Sequence, residues 1–332
     1  MSDRFDTGSR GPSRREFLAM GLGAFVVASV PWAARRRELR VARSIPVMGT
    51  VAEVIAVHRD PATAQAAIDA AFAELRDVET AMSRFRTESD IGRANAGATA
   101  GPVVVSVATA AVLMEALRWA DASSGRFDPA VGRAVALWDV GNRGAPPPPD
   151  AVRRVSGDRL YRHLEVSRRG GEAVVVFHTP QIALDLGGIA KGWAVDRATD
   201  ALRAHGIRHA LVNAGGDLYA LGRSPEGDPW EVGVQSPDDP GALIATLRLE
   251  DEAVATSGDY RQGFEHAGRR YHHILDPHTG EPRRTTARSV TVTASSCLAA
   301  DAATTAVFGC AAPDALRILA TAAPGARIIH QI

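Results

Sequence analysis

Lysine is almost missing from this sequence: of 38 basic residues, only Lys191 is not an arginine. Arginine has been used wherever either cation would serve. The surviving lysine is therefore a candidate for a task that needs a compact point charge on a flexible stem, not a planar fork. Cysteine is scarce as well. Cys297 and Cys310 form no CxxC pair and no zinc-ligand spacing. They fall at opposite ends of one expected helix, which argues against a disulfide and for two buried thiols. Net charge is absent, since 38 acidic residues balance the basic ones, so the basic excess of a nucleic-acid binder is excluded. Beyond the N-terminus no apolar run is long enough to span a bilayer. The remaining composition, 45% hydrophobic and 23% charged over 332 residues, is that of a globular protein with one large domain or two interlocked ones.

The N-terminus reads as an address. Arg14 and Arg15 precede an apolar run over residues 18–30, followed by Pro31, Trp32, Ala33, Ala34 and the basic Arg35, Arg36 and Arg37. A twin arginine before a short apolar region is a Tat-type export signal. The run is too short for a comfortable transmembrane helix, and no cysteine follows for lipid anchoring. Ala33 and Ala34 are small, but Pro31 and Trp32 spoil a clean cleavage pattern. Residues 1–36 are therefore set apart as the signal segment, and residues 44–332 as the folded domain. The expected location is periplasmic, with peripheral or signal-anchored association with the inner membrane compatible with the same segment.

Along the domain, residues 47–57 read as one β-branched strand. Asp60 and Pro61 then predict a helix start running to about Met82, with Ile68, Phe72, Leu75 and Val78 on one face. Residues 83–101 read as a polar loop, 103–105 as a short strand, and Ser106 as the cap of a helix through Ala122. A further helix is expected over 131–137, and residues 146–149 form a proline-rich linker. Residues 161–177 predict a hairpin turning at Gly170 and Gly171. Residues 182–185 predict a strand end feeding a helix from Ile189 to about Ala204, which Gly206 stops. Short strands are expected at 232–235, 244–249, 253–256, 271–275 and 289–294, and a helix over 298–308. Clustered strands with irregularly placed helices define an α+β class with mixed β-sheets flanked by helices.

Three stretches could carry chemistry. The first is Asp185-Leu186-Gly187-Gly188-Ile189-Ala190-Lys191-Gly192. Glycines admit a ligand close to the backbone, a helix N-terminus offers N–H groups to an anion, and Lys191 adds a full charge, so the stretch suits a pyrophosphate. It is not a P-loop, which needs a longer loop and Ser or Thr after the lysine. A tight strand–helix turn without a ligand would look similar. The second is Asp301-Ala302-Ala303-Thr304-Thr305, where Asp301 and Thr305 share a helix face. A carboxylate and a hydroxyl there suit Mg²⁺, although an acidic residue near a helix N-terminus is also favoured by the helix dipole alone. The third joins residues 256–260 to 271–280. His272 and His273 are strand neighbours and point to opposite faces, so one of them is expected to face a site.

In order, these blocks resemble the ApbE-type FAD:protein FMN transferase family over residues 44–332. The resemblance rests on Met48-Gly49-Thr50; Met82-Ser83-Arg84-Phe85 with Ser89-Asp90-Ile91; Gly125-Arg126-Phe127-Asp128-Pro129; the 185–192 stretch with Ala194-Val195-Asp196; Asn213-Ala214-Gly215-Gly216-Asp217; residues 256–260 and 273–280; and Ala300-Asp301-Ala302 with Thr305-Ala306. The resemblance implies transfer of the FMN half of FAD to a threonine or serine of an exported acceptor protein, with release of AMP and a need for Mg²⁺. It implies that Met48, Phe85, Arg126, Phe127, Asp128, Asp185, Lys191 and Ile274 contact FAD. Asp301, Thr305 and a backbone carbonyl near Gly188 would hold Mg²⁺, and His273 would assist transfer together with Lys191. Phe85 stands where the family commonly has tyrosine, which keeps stacking but loses a hydroxyl. Thr304 stands where some members have a further polar metal contact. FAD hydrolysis and non-catalytic flavin binding would use the same residues. Replacing Arg14 and Arg15 together by lysine is expected to retain the protein in the cytoplasm on cell fractionation. Continued export of that variant would contradict the address.

Overall fold

The computed structural model describes residues 25–27 and 39–332 apart from 240 and 261. Arg14 and Arg15 and most of the expected signal segment lie outside the described residues. The first described element is a strand within the apolar run, β1 (Phe25–Val27). Next comes a hairpin of β2 (Leu39–Val47) and β3 (Thr50–His58). The single strand expected over 47–57 is thus broken. Met48 and Gly49 have φ of 54° and 69°, a two-residue reversal between antiparallel strands. Similar β-forming residues flank the turn on both sides and hid it.

Helix α1 (Pro61–Met82) begins as expected, with the Asp60 carboxylate accepting from the N–H groups of Ala62 and Thr63. Residues 83–101 are not all loop. They contain α2 (Asp90–Gly97), capped by Ser89, whose hydroxyl accepts from Gly92 at 2.8 Å. Only Asp90, Ile91 and Ala94 of α2 are buried, too few apolar positions for a period to register. Then follow β4 (Val103–Val105), α3 (Val107–Ala122) with its Ser106 cap, α4 (Gly132–Trp138) and α5 (Pro149–Val155). Helix α5 starts inside the expected proline linker, because proline fits a first helical turn. The hairpin of β5 (Leu164–Arg169) and β6 (Glu172–Phe177) turns at Gly170 and Gly171. Residues 182–185 make no strand, only a parallel bridge from Ala183 to Val131.

After α6 (Ala190–Ala204) come two strands the sequence reading did not include, β7 (His209–Ala214) and β8 (Asp217–Leu221). They are followed by β9 (Trp230–Gln235), β10 (Leu243–Leu249) and β11 (Glu252–Gly258). The strand expected over 271–275 is interrupted. β12 (Gly263–His266) pairs with β13 (Arg269–His272), and β14 (Leu275–Asp276) pairs with β15 (Glu281–Pro282). The chain ends with β16 (Ser289–Ala294), α7 (Cys297–Val307), α8 (Ala312–Ala322) and β17 (Arg327–Gln331).

Seven strands form the main sheet in the order β17-β16-β11-β8-β7-β3-β2, with antiparallel neighbours. Both faces are covered, and β3 shows how. Ala52, Val54 and Ala56 join the core shared with α1, α6 and α7, whereas Ile55 and Val57 join a core with Trp230, Val232 and Val234 of β9. Side chains alternate faces along a strand, so a strand buried on both faces is apolar at nearly every position. The small sheet β1-β9-β10 covers the second face, and β4-β6-β5 forms a third sheet packed on α3. The expected α+β class holds.

Helices α6 and α7 are clamped reciprocally. Asp196 of α6 accepts from the N–H groups of Cys297 and Leu298 at 2.7 and 2.9 Å, and Asp301 of α7 accepts from that of Gly192 at 3.0 Å. Burial pushes the Asp196 carboxyl up to about 6 against the pull of those N–H groups. A Cβ at Gly192 would overlap the Cys297 carbonyl, 2.6 Å from its carbon and 2.8 Å from Leu298 Cα. Alanine favours a helix over glycine by about 1 kcal/mol, but forcing two backbones apart costs about 1–3 kcal/mol or more. Gly192→Ala is therefore expected to lower the melting temperature by several degrees, and a rise would contradict the tight crossing.

Candidate active site

The glycine pair sits at the end of a braced segment. Asn95 of α2 holds Leu184 twice, its Nδ2 donating to the Leu184 carbonyl at 3.0 Å and its Oδ1 accepting from the Leu184 N–H at 2.6 Å. The Gly132 N–H donates to the Ala183 carbonyl, and the Asp185 N–H to that of Pro129. Gly187 and Gly188 then lead into α6, whose N-terminus no side chain caps. Such a terminus favours an anion.

Lys191, in the first turn of α6, meets two buried carboxylates. Its Nζ is paired with Asp217 of β8 and lies 3.3 Å from both oxygens of Asp301. Both acids are 2% exposed. Burial chiefly, and then the Asp217 charge, push the Asp301 carboxyl up to about 7, opposed by Lys191 and the Gly192 N–H. Thr305 stands one turn beyond Asp301, and a Cβ at Gly188 would lie 2.8 Å from its hydroxyl and 3.3 Å from the Phe127 ring. The structure thus brings together Lys191, Gly188, Asp301, Thr305 and Phe127 from three separate stretches of chain. Thr304 turns elsewhere. Its hydroxyl donates to the Asp301 carbonyl at 2.8 Å and pairs with Ser257 of β11.

At the other side of the glycine pair, Arg84 forms a 2.8 Å ion pair with Asp185, and its guanidinium lies 4.1 Å from the centre of the Phe85 ring. Phe85 is 80% exposed, so an aromatic plate stands open to solvent, tied through Arg84 to the Asp185 carboxylate.

The family model of the ApbE family matches residues 48–329. The chain belongs to the ApbE family. A Treponema pallidum (strain Nichols) protein named FAD:protein FMN transferase is 39% identical over 292 residues, 82% of this chain and 80% of that relative. A Vibrio cholerae protein of the same name is 34% identical over 261 residues, 77% of each. Among solved structures, the flavin transferase ApbE from Vibrio cholerae has a TM-score of 0.73 at 32% identity, covering 85% of this chain and 91% of that one. The apo flavinyl transferase ApbE of Pseudomonas stutzeri has a TM-score of 0.75 at 28% identity, covering 86% and 90%.

Other residues expected at the site of this ApbE member have structural bonds of their own. The Asp128 carboxylate accepts from the N–H groups of Ala130 and Tyr161 at 2.8 and 3.0 Å, and burial pushes it up to about 7. Arg126 donates to the Ala306 and Phe308 carbonyls at the end of α7. The Met48 N–H donates to Glu79 of α1 at 2.8 Å. Ile274 is buried, and its N–H donates to His272 Nδ1. His272 is buried with Nε2 on the Arg283 carbonyl, and burial lowers its pKa. His273 is the more open of the pair, with Nδ1 3.4 Å from the Gln262 carbonyl. The two histidines differ: His272 is buried and bonded on both ring nitrogens, and His273 is half-buried.

Two residues escaped the sequence reading. Asp217 lay in a matched block but carried no assigned role. Arg283 gave no signal, because arginine is the default cation of this chain. It is buried and has no carboxylate partner among its described bonds. Its guanidinium donates to four carbonyls: Leu275 at 3.1 Å, Thr305 at 2.8 Å, Phe308 at 3.0 Å and Arg126 at 2.5 Å. Burial chiefly, and Arg126 nearby, lower its pKa to about 9. It ties the segment after His273 and Ile274 to the end of α7 and to the residue before Phe127. Each orphaned buried acceptor costs roughly 1–3 kcal/mol, so Arg283→Met is expected to lose about 3 kcal/mol or more in urea unfolding. Arg283→Lys, with three donors, should lose less. Equal stability of all three proteins would contradict the role.

Proposed function

We propose that this chain is an FAD:protein FMN transferase that moves the FMN half of FAD onto a threonine or serine hydroxyl of an acceptor protein. The observation that carries the reading is the gathering of Lys191, Asp301 and Thr305 at an uncapped helix N-terminus behind Gly187 and Gly188. Relatives named for this activity cover most of the chain.

The same residues fit Mg²⁺. Asp301, Thr305 and the Gly188 carbonyl offer only oxygen, and Mg²⁺ takes one or two carboxylates and completes its shell with water and phosphate oxygens. Among the described residues no three of His, Cys, Asp or Glu gather as a ligand set, so a metal here rests on this sparse oxygen set. Bound Mg²⁺ would neutralise charge on the pyrophosphate and orient it for in-line displacement.

The chain's own groups supply the rest. The acceptor oxygen attacks the FMN phosphorus, the new O–P bond forms as the bond to AMP breaks, and AMP leaves with the electron pair. Lys191 and the N-terminus of α6 stabilise the charge that gathers on the leaving phosphate. The hydroxyl proton needs a base, and His273 is the candidate. With Nδ1–H donating to the Gln262 carbonyl, Nε2 is left as the basic nitrogen. Phe85 offers an exposed flat apolar surface for the flavin or adenine rings, Asp185 stands beside it through Arg84, and the buried Phe127 backs Gly188 as a further proposed FAD contact. Met48, Arg126, Asp128 and Ile274 complete the proposed FAD contacts. The twin arginine before the apolar run supports a reaction outside the cytoplasm, on an exported acceptor.

The full chain, purified and mixed with FAD, Mg²⁺ and an acceptor domain carrying a flavinylation threonine, is expected to label that domain. The acceptor should gain the mass of FMN less water, with one AMP released from FAD per label. Threonine-to-alanine substitution in the acceptor should erase the label. Lys191→Arg should fall by roughly two powers of ten in rate, as for loss of one transition-state contact. AMP and free FMN produced equally with or without any of several acceptors would mean hydrolysis. Tight FAD binding with no AMP would mean a flavin carrier.

A further inference from the structure

Lys191 lies beside the carboxylate that a cation would use. Its Nζ is 3.3 Å from both Asp301 oxygens, longer than the usual 2.7–2.9 Å of a charge-assisted bond, while its contact with Asp217 is the closer one. The lysine is thus shared unequally between two buried carboxylates on different elements, β8 and α7. Asp217 is firmly placed. It opens β8 directly after the turn at Gly215 and Gly216, with φ of 61° and 97°, and the Gly216 N–H donates to Asn213 Oδ1 at 3.2 Å.

We propose that Asp217 is a positioning residue that holds Lys191 off Asp301, so that a divalent cation can take that carboxylate. The inference rests on the metal reading given above. An ammonium and Mg²⁺ compete for the same oxygens. Two carboxylates against one ammonium leave one net negative charge, and a divalent cation turns that into one net positive charge suited to a pyrophosphate. With Asp217 in place, Lys191 yields Asp301 and remains beside the phosphates. Without it, Asp301 becomes the lysine's main counter-ion and the lysine becomes an internal competitor. The arrangement also accounts for lysine at this position in a chain that otherwise uses arginine. A guanidinium would grip a carboxylate through two parallel bonds and release it poorly.

The test is a two-by-two set of full-length proteins: wild type, Asp217→Asn, Lys191→Met and the double variant. Mg²⁺ is titrated into each by calorimetry with ADP present, a pyrophosphate that carries no transferable FMN. Asp217→Asn is expected to weaken Mg²⁺ binding about tenfold or more, since neighbouring buried charges interact by at least that much. Lys191→Met is expected to tighten it. In the Lys191→Met background, Asp217→Asn should lose most of its effect. Equal weakening in both backgrounds would overturn the inference, because Asp217 would then act only through its own charge. No Mg²⁺ binding by wild type would overturn the metal reading and this inference with it. Should Asp217→Asn not fold, Lys191→Met decides alone: tighter Mg²⁺ binding supports the competition, and unchanged or weaker binding overturns it.

Discussion

The close crossing of α6 on α7 is the contact on which the rest of the site depends. Gly192 lets the two backbones meet, Asp196 caps α7 from α6, and Asp301 reaches back to the Gly192 N–H. The crossing buries Asp301 beside Lys191 and sets Thr305 against Gly188. Without the glycine the helices could not approach closely enough for a carboxylate on one to accept from the backbone of the other. The residue that rules out a P-loop is thus the residue that builds this site.

Buried charge is the second constraint. Asp217, Asp301 and Arg283 are all removed from water, which is costly for any ion that lacks partners. Each is met by opposite charge or by backbone dipoles. Arg283 is the extreme case, its guanidinium satisfied by four carbonyls from segments far apart in sequence. Such a hub resists rearrangement, because moving any one segment orphans an acceptor. Phe85 and His273 are more open to solvent than these buried charges.

Where local rules suffice, the sequence could be read directly. Asp60 and Pro61 announce α1, Ser106 announces α3, and Gly170 with Gly171 announce the β5–β6 turn. Reading failed where both faces of an element are buried or where an element is short. Met48 and Gly49 interrupt a run that is β-forming on both sides. Helix α2 has too few apolar positions to show a period. Strands β7 and β8, the centre of the main sheet, are apolar on both faces, and periodicity does not distinguish such a run from a buried helix.

By itself the sequence determined the class of the fold, the glycine pair at a helix start, the lone lysine, the Asp301 and Thr305 spacing, and the family to which these blocks belong. All of these are local patterns, set by side-chain type and helical or strand period. Only the tertiary structure decided that Lys191 is shared between Asp217 and Asp301, that Thr304 faces the sheet while Thr305 faces Gly188, and that Arg283 ties three segments together. Those relations depend on which surfaces are pressed together when the helices bury their apolar faces on the sheet. No rule of spacing encodes a contact between residues 26 or 110 positions apart, as Lys191 is from Asp217 and Asp301.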